Sequence, residues 1–194
     1  MDRSPHVFLA SASPRRQALL TQIGIGYTLL HAEVDETLHP GEPAGDYVRR
    51  VALEKVRAGR ALLPGDAGSP VLGADTAVSV DGRIMGKPRN RGEGIDMLLT
   101  LSGRSHEVLS AVALAAEREV VRVSTSRVTF RPLTPAQCAA YWDTGEPHDK
   151  AGGYAIQGRA AVFVSRLEGS YSGVMGLPLY ETAELLQEFG IEVL

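Results

Sequence analysis

Val7-Phe8-Leu9-Ala10-Ser11-Ala12-Ser13-Pro14-Arg15-Arg16 runs from a short apolar strand directly into a helix. Val7–Ala10 is the strand. Ser13 suits an N-cap and Pro14 the first helical position. Leu19, Leu20 and Ile23 then share one helical face, and Gly24 marks the stop. Two arginines open this helix, where unpaired N–H groups and the macrodipole already make the end positive. An anion bound on top would reconcile them. Serine hydroxyls, free amides and paired guanidiniums therefore read together as a phosphate cradle. Helical periodicity turns Arg15 roughly 100° away from the apolar face and sets Arg16 on it. A structural ion pair and a phosphate contact are both open for Arg16.

Outward from this stretch, strands and helices alternate. A helix is expected from about Ala44 to Leu63, ended by Pro64-Gly65, and a β-branched strand over Val71–Val80. Asp81-Gly82 is a hairpin turn leading into Arg83-Ile84-Met85. A helix near Gly92–Leu101 and strands at His106–Ala115 and Val120–Phe130 follow. Thr134-Pro135-Ala136-Gln137 is a capping box opening a helix that Gly145 ends. Ala160–Leu167 is read as a strand, Leu179–Phe189 as a helix and Ile191–Leu194 as a last strand. Glu168–Gly176, rich in glycine and serine, reads as a loop able to close over a ligand. This mixture implies an α/β protein.

The 194 residues suit one domain, or two lobes sharing a core. An apolar fraction of 44% is that of a globular chain, and a formal charge of -3 argues against a stable nucleic-acid complex. Cys138 is the lone cysteine, so no intrachain disulfide and no cysteine-rich zinc site can form, and it is read as a packed thiol. The five histidines lack metal-ligand spacing. Neither a signal-peptide run nor a membrane-length apolar segment is visible, so a soluble cytoplasmic protein is expected.

Several charges stand where apolar residues are expected. In the second helix Val48, Val51, Ala52 and Val56 share a face, and Lys55 falls on it. It is either a snorkelling side chain or a lysine aimed into a cleft. Gly73-Ala74-Asp75-Thr76 puts a carboxylate in an apolar strand, where it needs a cation, a metal or a raised pKa unless Gly73 makes a bend. Gly86-Lys87-Pro88 holds a lysine on a rigid loop. Val34-Asp35-Glu36 supplies two carboxylates that either cap a loop or serve the site. Lys150-Ala151-Gly152-Gly153-Tyr154 and Ile156-Gln157-Gly158 are polar positions flanked by glycine. Cations gathered with a few carboxylates suit metal-assisted hydrolysis of a phosphate ester or anhydride, and the residue chemistry goes no further.

The ordered set of motifs does go further. Leu9–Arg16, Val34-Asp35-Glu36, Leu53-Glu54-Lys55, Gly73–Thr76, Gly86-Lys87-Pro88, Leu101–His106, Thr144–Pro147, Asp149–Gly152, Ile156-Gln157-Gly158 and Val174–Pro178 span nearly the whole chain. In this order they resemble the Maf nucleoside-triphosphate pyrophosphatases. The resemblance implies a single domain over residues 1–194, with an elongated mixed β-sheet flanked by helices. It also implies two lobes with a central cleft, similar to the inosine-triphosphatase architecture. The activity implied is hydrolysis of a nucleoside triphosphate to monophosphate and pyrophosphate with a divalent cation of the Mg, Mn or Co class. It is a house-cleaning role in a family also named for arrest of septum formation. Asp75 is implied as the proton acceptor. Lys55 and Lys87 would bind phosphates, Glu36 would help hold metal or water, and Ser13 belongs to the cradle.

Three positions separate the subfamilies of that family. A branch active on 7-methyl-GTP carries tryptophan, glutamine and glutamate where this chain has Arg15, Thr76 and Gln157. All three residues match the branch that prefers dTTP and UTP, with modified pyrimidine nucleotides left open. Gln157 offers a donor and acceptors to a uracil or thymine edge. Strict alternation sets Asp75 and Thr76 on opposite faces of their strand, so both serve one site only where the strand ends or bulges, or where Thr76 acts through its backbone. Two other classes remain in view: a nucleotide-binding regulator of cell division without turnover, and a phosphatase releasing orthophosphate. A free sheet edge leaves a homodimer open.

Overall fold

The computed structural model describes residues 6–63 and 68–193. Strand β1 (His6–Leu9) feeds helix α1 (Pro14–Gln22), and β2 (Gly26–Leu29) returns parallel to β1. Helix α2 (Ala44–Ala61) precedes β3 (Val71–Val80), and the Asp81-Gly82 turn, with both φ angles positive, leads into β4 (Arg83–Met85). Then come α3 (Arg91–Leu101), β5 (Ser105–Ala115), β6 (Glu119–Phe130) and α4 (Pro135–Trp142). Short 3₁₀ turns at Ala151–Gly153 and Arg159–Phe163 precede β7 (Val164–Glu168), α5 (Tyr171–Met175) and α6 (Leu179–Glu188). Among the described residues the strands form one seven-stranded mixed sheet in the order β2-β1-β3-β5-β6-β7, with β4 also on β3.

Three sequence expectations fail. Residues 160–163 form a 3₁₀ turn, and β7 begins only at Val164. Glu146 causes this, because its carboxylate accepts the amides of Arg159 (2.9 Å) and Ala160 (3.4 Å) and so curls that backbone. Residues 191–193 form no strand: Ile191 donates its amide to Leu186 O, so they wrap the end of α6 instead. The stretch 168–176 is not an open loop. It contains α5, capped by Ser170 and docked on the sheet through Ser126 and Ser110. Strand β2 carries no alternation signal because it is a short edge strand with half its residues exposed. Pro64-Gly65 lies outside the described residues.

The two faces of β3 are covered differently. On one face Val71 and Ala77 lie against α2 through Val48, Ala52 and Val56. On the other, Leu72 and Ala74 join α1 and α6 through Leu19, Leu20, Leu185 and Leu186. Farther along that second face, Val78 and Val80 belong to a separate apolar cluster with Leu98, Leu101, Cys138 and Tyr141 of α3 and α4. Thr76 falls between the two clusters. Both faces being covered explains why β3 reads as a continuous apolar run.

Candidate active site

Asp75 and Thr76 do point to opposite faces, and the sheet shows how both reach one cleft. On one edge β5 pairs β3 along its length, from Val71 to Ser79. On the other edge β1 pairs only Val71 and Leu72, and β4 only Val78 to Val80. Residues 73–77 are therefore left without a strand partner on that edge. The cleft wraps around this gap, with α1 beginning above it. Ser13, Arg15 and Arg16 line both sides of the cleft.

On the Asp75 side the cavity measures about 400 Å³ and is also lined by Glu36, Lys55, Lys87 and Asp149. Gly73 makes no bend. A Cβ there would stand 3.0 Å from Ala52 O and 3.2 Å from Lys55 Cβ, so glycine lets the α2 backbone lie directly on β3. That approach brings Lys55 down to the carboxylates. Its ammonium lies 2.9 Å from Asp75 Oδ1 and 2.6 Å from Glu36 Oε1. Lys55 is buried, which rules out the snorkelling alternative. Burial pushes the Asp75 carboxyl above the ordinary aspartate range, against the pull of Lys55 and Arg16. Burial would also raise Glu36, but the hydrogen bond and charge of Lys55 outweigh it and hold Glu36 below its usual value. Asp75 Oδ2 is buried without a protein partner.

The Glu36 loop is held from α2. Tyr47 Oη donates to Glu36 O at 3.0 Å, and Arg50 grips the Glu42 carboxylate (2.7 and 2.8 Å) and Thr37 O (3.0 Å). Asp35 accepts the Thr37 amide at 2.9 Å. Of the carboxylate pair, then, Asp35 closes the loop and Glu36 faces the site.

Ser13 occupies the N-cap of α1, yet its hydroxyl makes no capping bond, so it is left facing the cleft. Arg16 is buried, and its Nε donates to Gly176 O (2.8 Å) and its Nη1 to Ser11 Oγ (3.0 Å). Burial lowers its pKa, with Asp75 opposing. Arg15 Nε donates to Met175 O at 3.3 Å. Both arginines are thus anchored by carbonyls at the end of α5, which the sequence did not mark as a partner. Neither makes a direct ion pair among the described residues, so a bound anion would compensate both.

On the Thr76 side lies a narrower recess of about 70 Å³, also lined by Gln157, Lys150, Tyr154 and Val108. Gln157 is exposed at its rim. Gly158 beside it lets the Glu146 carboxylate lie against the backbone: a Cβ there would stand 2.4 Å from that carboxylate and push it aside. Lys150 pairs with Asp149, which lines the other cavity, so the cleft wall opposite β3 also has adjacent residues serving its two halves. The structure thus brings all the sequence-selected site residues to one cleft. Sequence reading gave Ser110 no role and did not mark the carbonyls of α5. Ser110 had a signal, a hydroxyl inside the apolar run Val108–Ala115.

Among the described residues no group of three or more His, Cys, Asp or Glu forms a ready-made metal cage. No helix among them is long and apolar enough to cross a membrane. Two carboxylates flank Lys55, and one of their oxygens is buried without a partner. This is a donor set of the kind that binds a hard cation together with substrate phosphates.

Known proteins resemble this chain over nearly its whole length. A protein from Alkalilimnicola ehrlichii named dTTP/UTP pyrophosphatase is 56% identical over 191 residues, covering 97% of this chain and 95% of the relative. One of the same name from Bordetella avium is 50% identical and covers 98% of each chain. The solved Staphylococcus aureus Ham1 protein aligns with a TM-score of 0.42 and 16% identity, over 64% of this chain and 71% of that one, a distance at which the likeness does not bear on the site. The family model described as Maf-like protein matches residues 6–189, and with it the chain belongs to the Maf family.

Proposed function

We propose that this protein hydrolyses dTTP and UTP to the monophosphate and pyrophosphate, with Asp75 as the base. The observation that carries the reading is Asp75 itself. Its carboxylate is buried at the unpaired stretch of β3, with one oxygen on Lys55 and the other without a protein partner. Burial raises its proton affinity, which makes the ionised form a better acceptor of a water proton than an exposed aspartate. Water attacks the α-phosphorus, Asp75 takes the proton, and the bond to the bridging oxygen breaks so that pyrophosphate leaves. Ser13, Arg15, Arg16 and Lys87 would hold the phosphates and the charge that builds on the leaving group. Lys55 keeps Asp75 and Glu36 in place.

A divalent cation of the Mg, Mn or Co class fits the donors: Glu36, together with substrate phosphate oxygens, would hold it beside Asp75, whose Oδ2 stays free to take the water proton. When bound it would neutralise phosphate charge. The base is read in the recess by Thr76 and Gln157. The names of relatives sharing 48–56% identity support the choice of dTTP and UTP. The reading takes the chain as a single domain of two lobes sharing one sheet, acting on the nucleotide pool of the cytoplasm. Its outer strands β2 and β7 are edges on which two copies could pair as a homodimer.

A nucleotide panel with product identification tests this. Pyrophosphate release from dTTP and UTP ahead of purine triphosphates and 7-methyl-GTP is the expected result. Release of orthophosphate, or binding without turnover in the presence of metal, overturns it.

A further inference from the structure

Thr76 belongs to a belt of hydroxyls that divides two apolar cores. In register it faces Ser110 on β5, and Ser110 faces Ser124 on β6. Ala74 and Val112 flank the belt on one side and Val78 and Val108 on the other, each pair in a different cluster. Ser110 is only 1% exposed. Its Oγ lies 2.6 Å from Gly173 O and 2.8 Å from Thr76 Oγ1.

A serine hydroxyl has one proton. A carbonyl cannot donate, and two oxygens 2.6 Å apart with no proton between them would repel, so the Ser110 proton lies on Gly173 O. Thr76 must then donate to Ser110. Its single proton is spent there and is not available to Gly176 O at 3.4 Å, nor to a ligand. Thr76 therefore turns only lone pairs toward the recess. Gln157 at the rim cannot impose such a direction, because a rotated amide presents either donor or acceptor.

We propose that Ser110 is a positioning residue for base selection: by accepting the Thr76 proton it makes Thr76 an obligate acceptor in the recess. An obligate acceptor favours a base whose ring nitrogen carries hydrogen, as N3 does in uracil and thymine. Cytosine N3 is itself an acceptor and is opposed. The inference rests on the pyrimidine reading above. Ser110 also docks α5, whose last carbonyls anchor Arg15 and Arg16, so its effect on selectivity must be separated from a general loss.

The test is kcat/KM for UTP and CTP in the wild type, Ser110→Ala, Ser110→Thr, Thr76→Val and the double variant Ser110→Ala/Thr76→Val. With Ser110→Ala the Thr76 proton is free to turn toward the ligand, and the UTP/CTP ratio should narrow roughly tenfold, the worth of one hydrogen bond. Ser110→Thr keeps the hydroxyl and should keep the ratio. In the Thr76→Val background Ser110→Ala should narrow the ratio no further. Should Ser110→Ala fail to fold, Ser110→Cys, with its weakly accepting thiol, is expected to narrow the ratio in its place. Equal losses on UTP and CTP, or ratio effects of Ser110 and Thr76 that multiply, would overturn the proposal while leaving the pyrimidine reading intact. A wild type that turns over neither UTP nor dTTP would overturn both.

Discussion

Asp75, Lys55 and Glu36 form one electrostatic unit in which the lysine holds two carboxylates of different character. Lowered Glu36 stays ionised, while buried Asp75 has a raised affinity for a proton. A group whose folded pKa is raised contributes stability at low pH and loses it as pH rises through the folded value. At neutral pH the ionised Asp75 is thus a strain on the fold. Asp75→Asn should melt no lower than the wild type at pH 7, while turnover falls by about 10²–10⁴ for loss of the base. Calorimetry and pyrophosphate release on the same sample check both. Since the base must be ionised, activity should fall as pH drops through the raised Asp75 value, higher than for an ordinary aspartate. Lys55 is the largest influence pulling that value down, so Lys55→Met should shift the acid limb of the pH–rate profile further upward.

At the scale of elements, the site depends on how closely α2 lies on β3 and on how the loop bearing Gln157 is held. Gly73→Ala would press a methyl against Ala52 O, a backbone atom that cannot turn aside. The helix must lift, separating Lys55 from Asp75. We expect a loss of roughly 1–3 kcal/mol in urea unfolding together with weaker activity. Glu146, in one of the motifs that carry the family resemblance, acts structurally: it accepts Tyr141 Oη at 2.6 Å and two backbone amides of the turn after Gln157. Lys55 was readable from helical periodicity, but its partners were not, because Glu36 arrives on an irregular loop. The α5 anchor was also illegible, since a five-residue helix of Tyr-Ser-Gly-Val-Met has no periodicity to show.

Across the whole molecule, one sheet carries three apolar clusters among the described residues, and on the Thr76 face of β3 the cleft opens between two of them. The single-domain reading proposed above predicts that chemical unfolding shows one transition by fluorescence and circular dichroism. His106 gives that transition a pH signature. It is 2% exposed, its Nε2 lies 2.7 Å from Tyr154 Oη, its Nδ1 has no partner, and burial lowers its pKa to about 4. A depressed folded pKa means stability that is present above the unfolded value, about 6.5, and lost as pH falls toward the folded one. Between pH 7 and 4.5 this amounts to ~2–3 kcal/mol. Urea melts at the two pH values should show a smaller drop in His106→Gln than in the wild type.

Local chemistry in the sequence determined most elements of this protein: the strand-to-helix entry at Val7–Arg16, the Asp81-Gly82 turn, the Thr134 capping box and the conspicuous charges Lys55 and Asp75. Each is decided by neighbours within one or two helical turns or one strand. Only the tertiary structure decided what those charges meet. The gap at residues 73–77 exists because β1 and β4 stop short from opposite ends of β3, and strand pairing between distant segments leaves no local trace. That gap is what lets Asp75 and Thr76, on opposite faces, open into one cleft beneath Arg15 and Arg16.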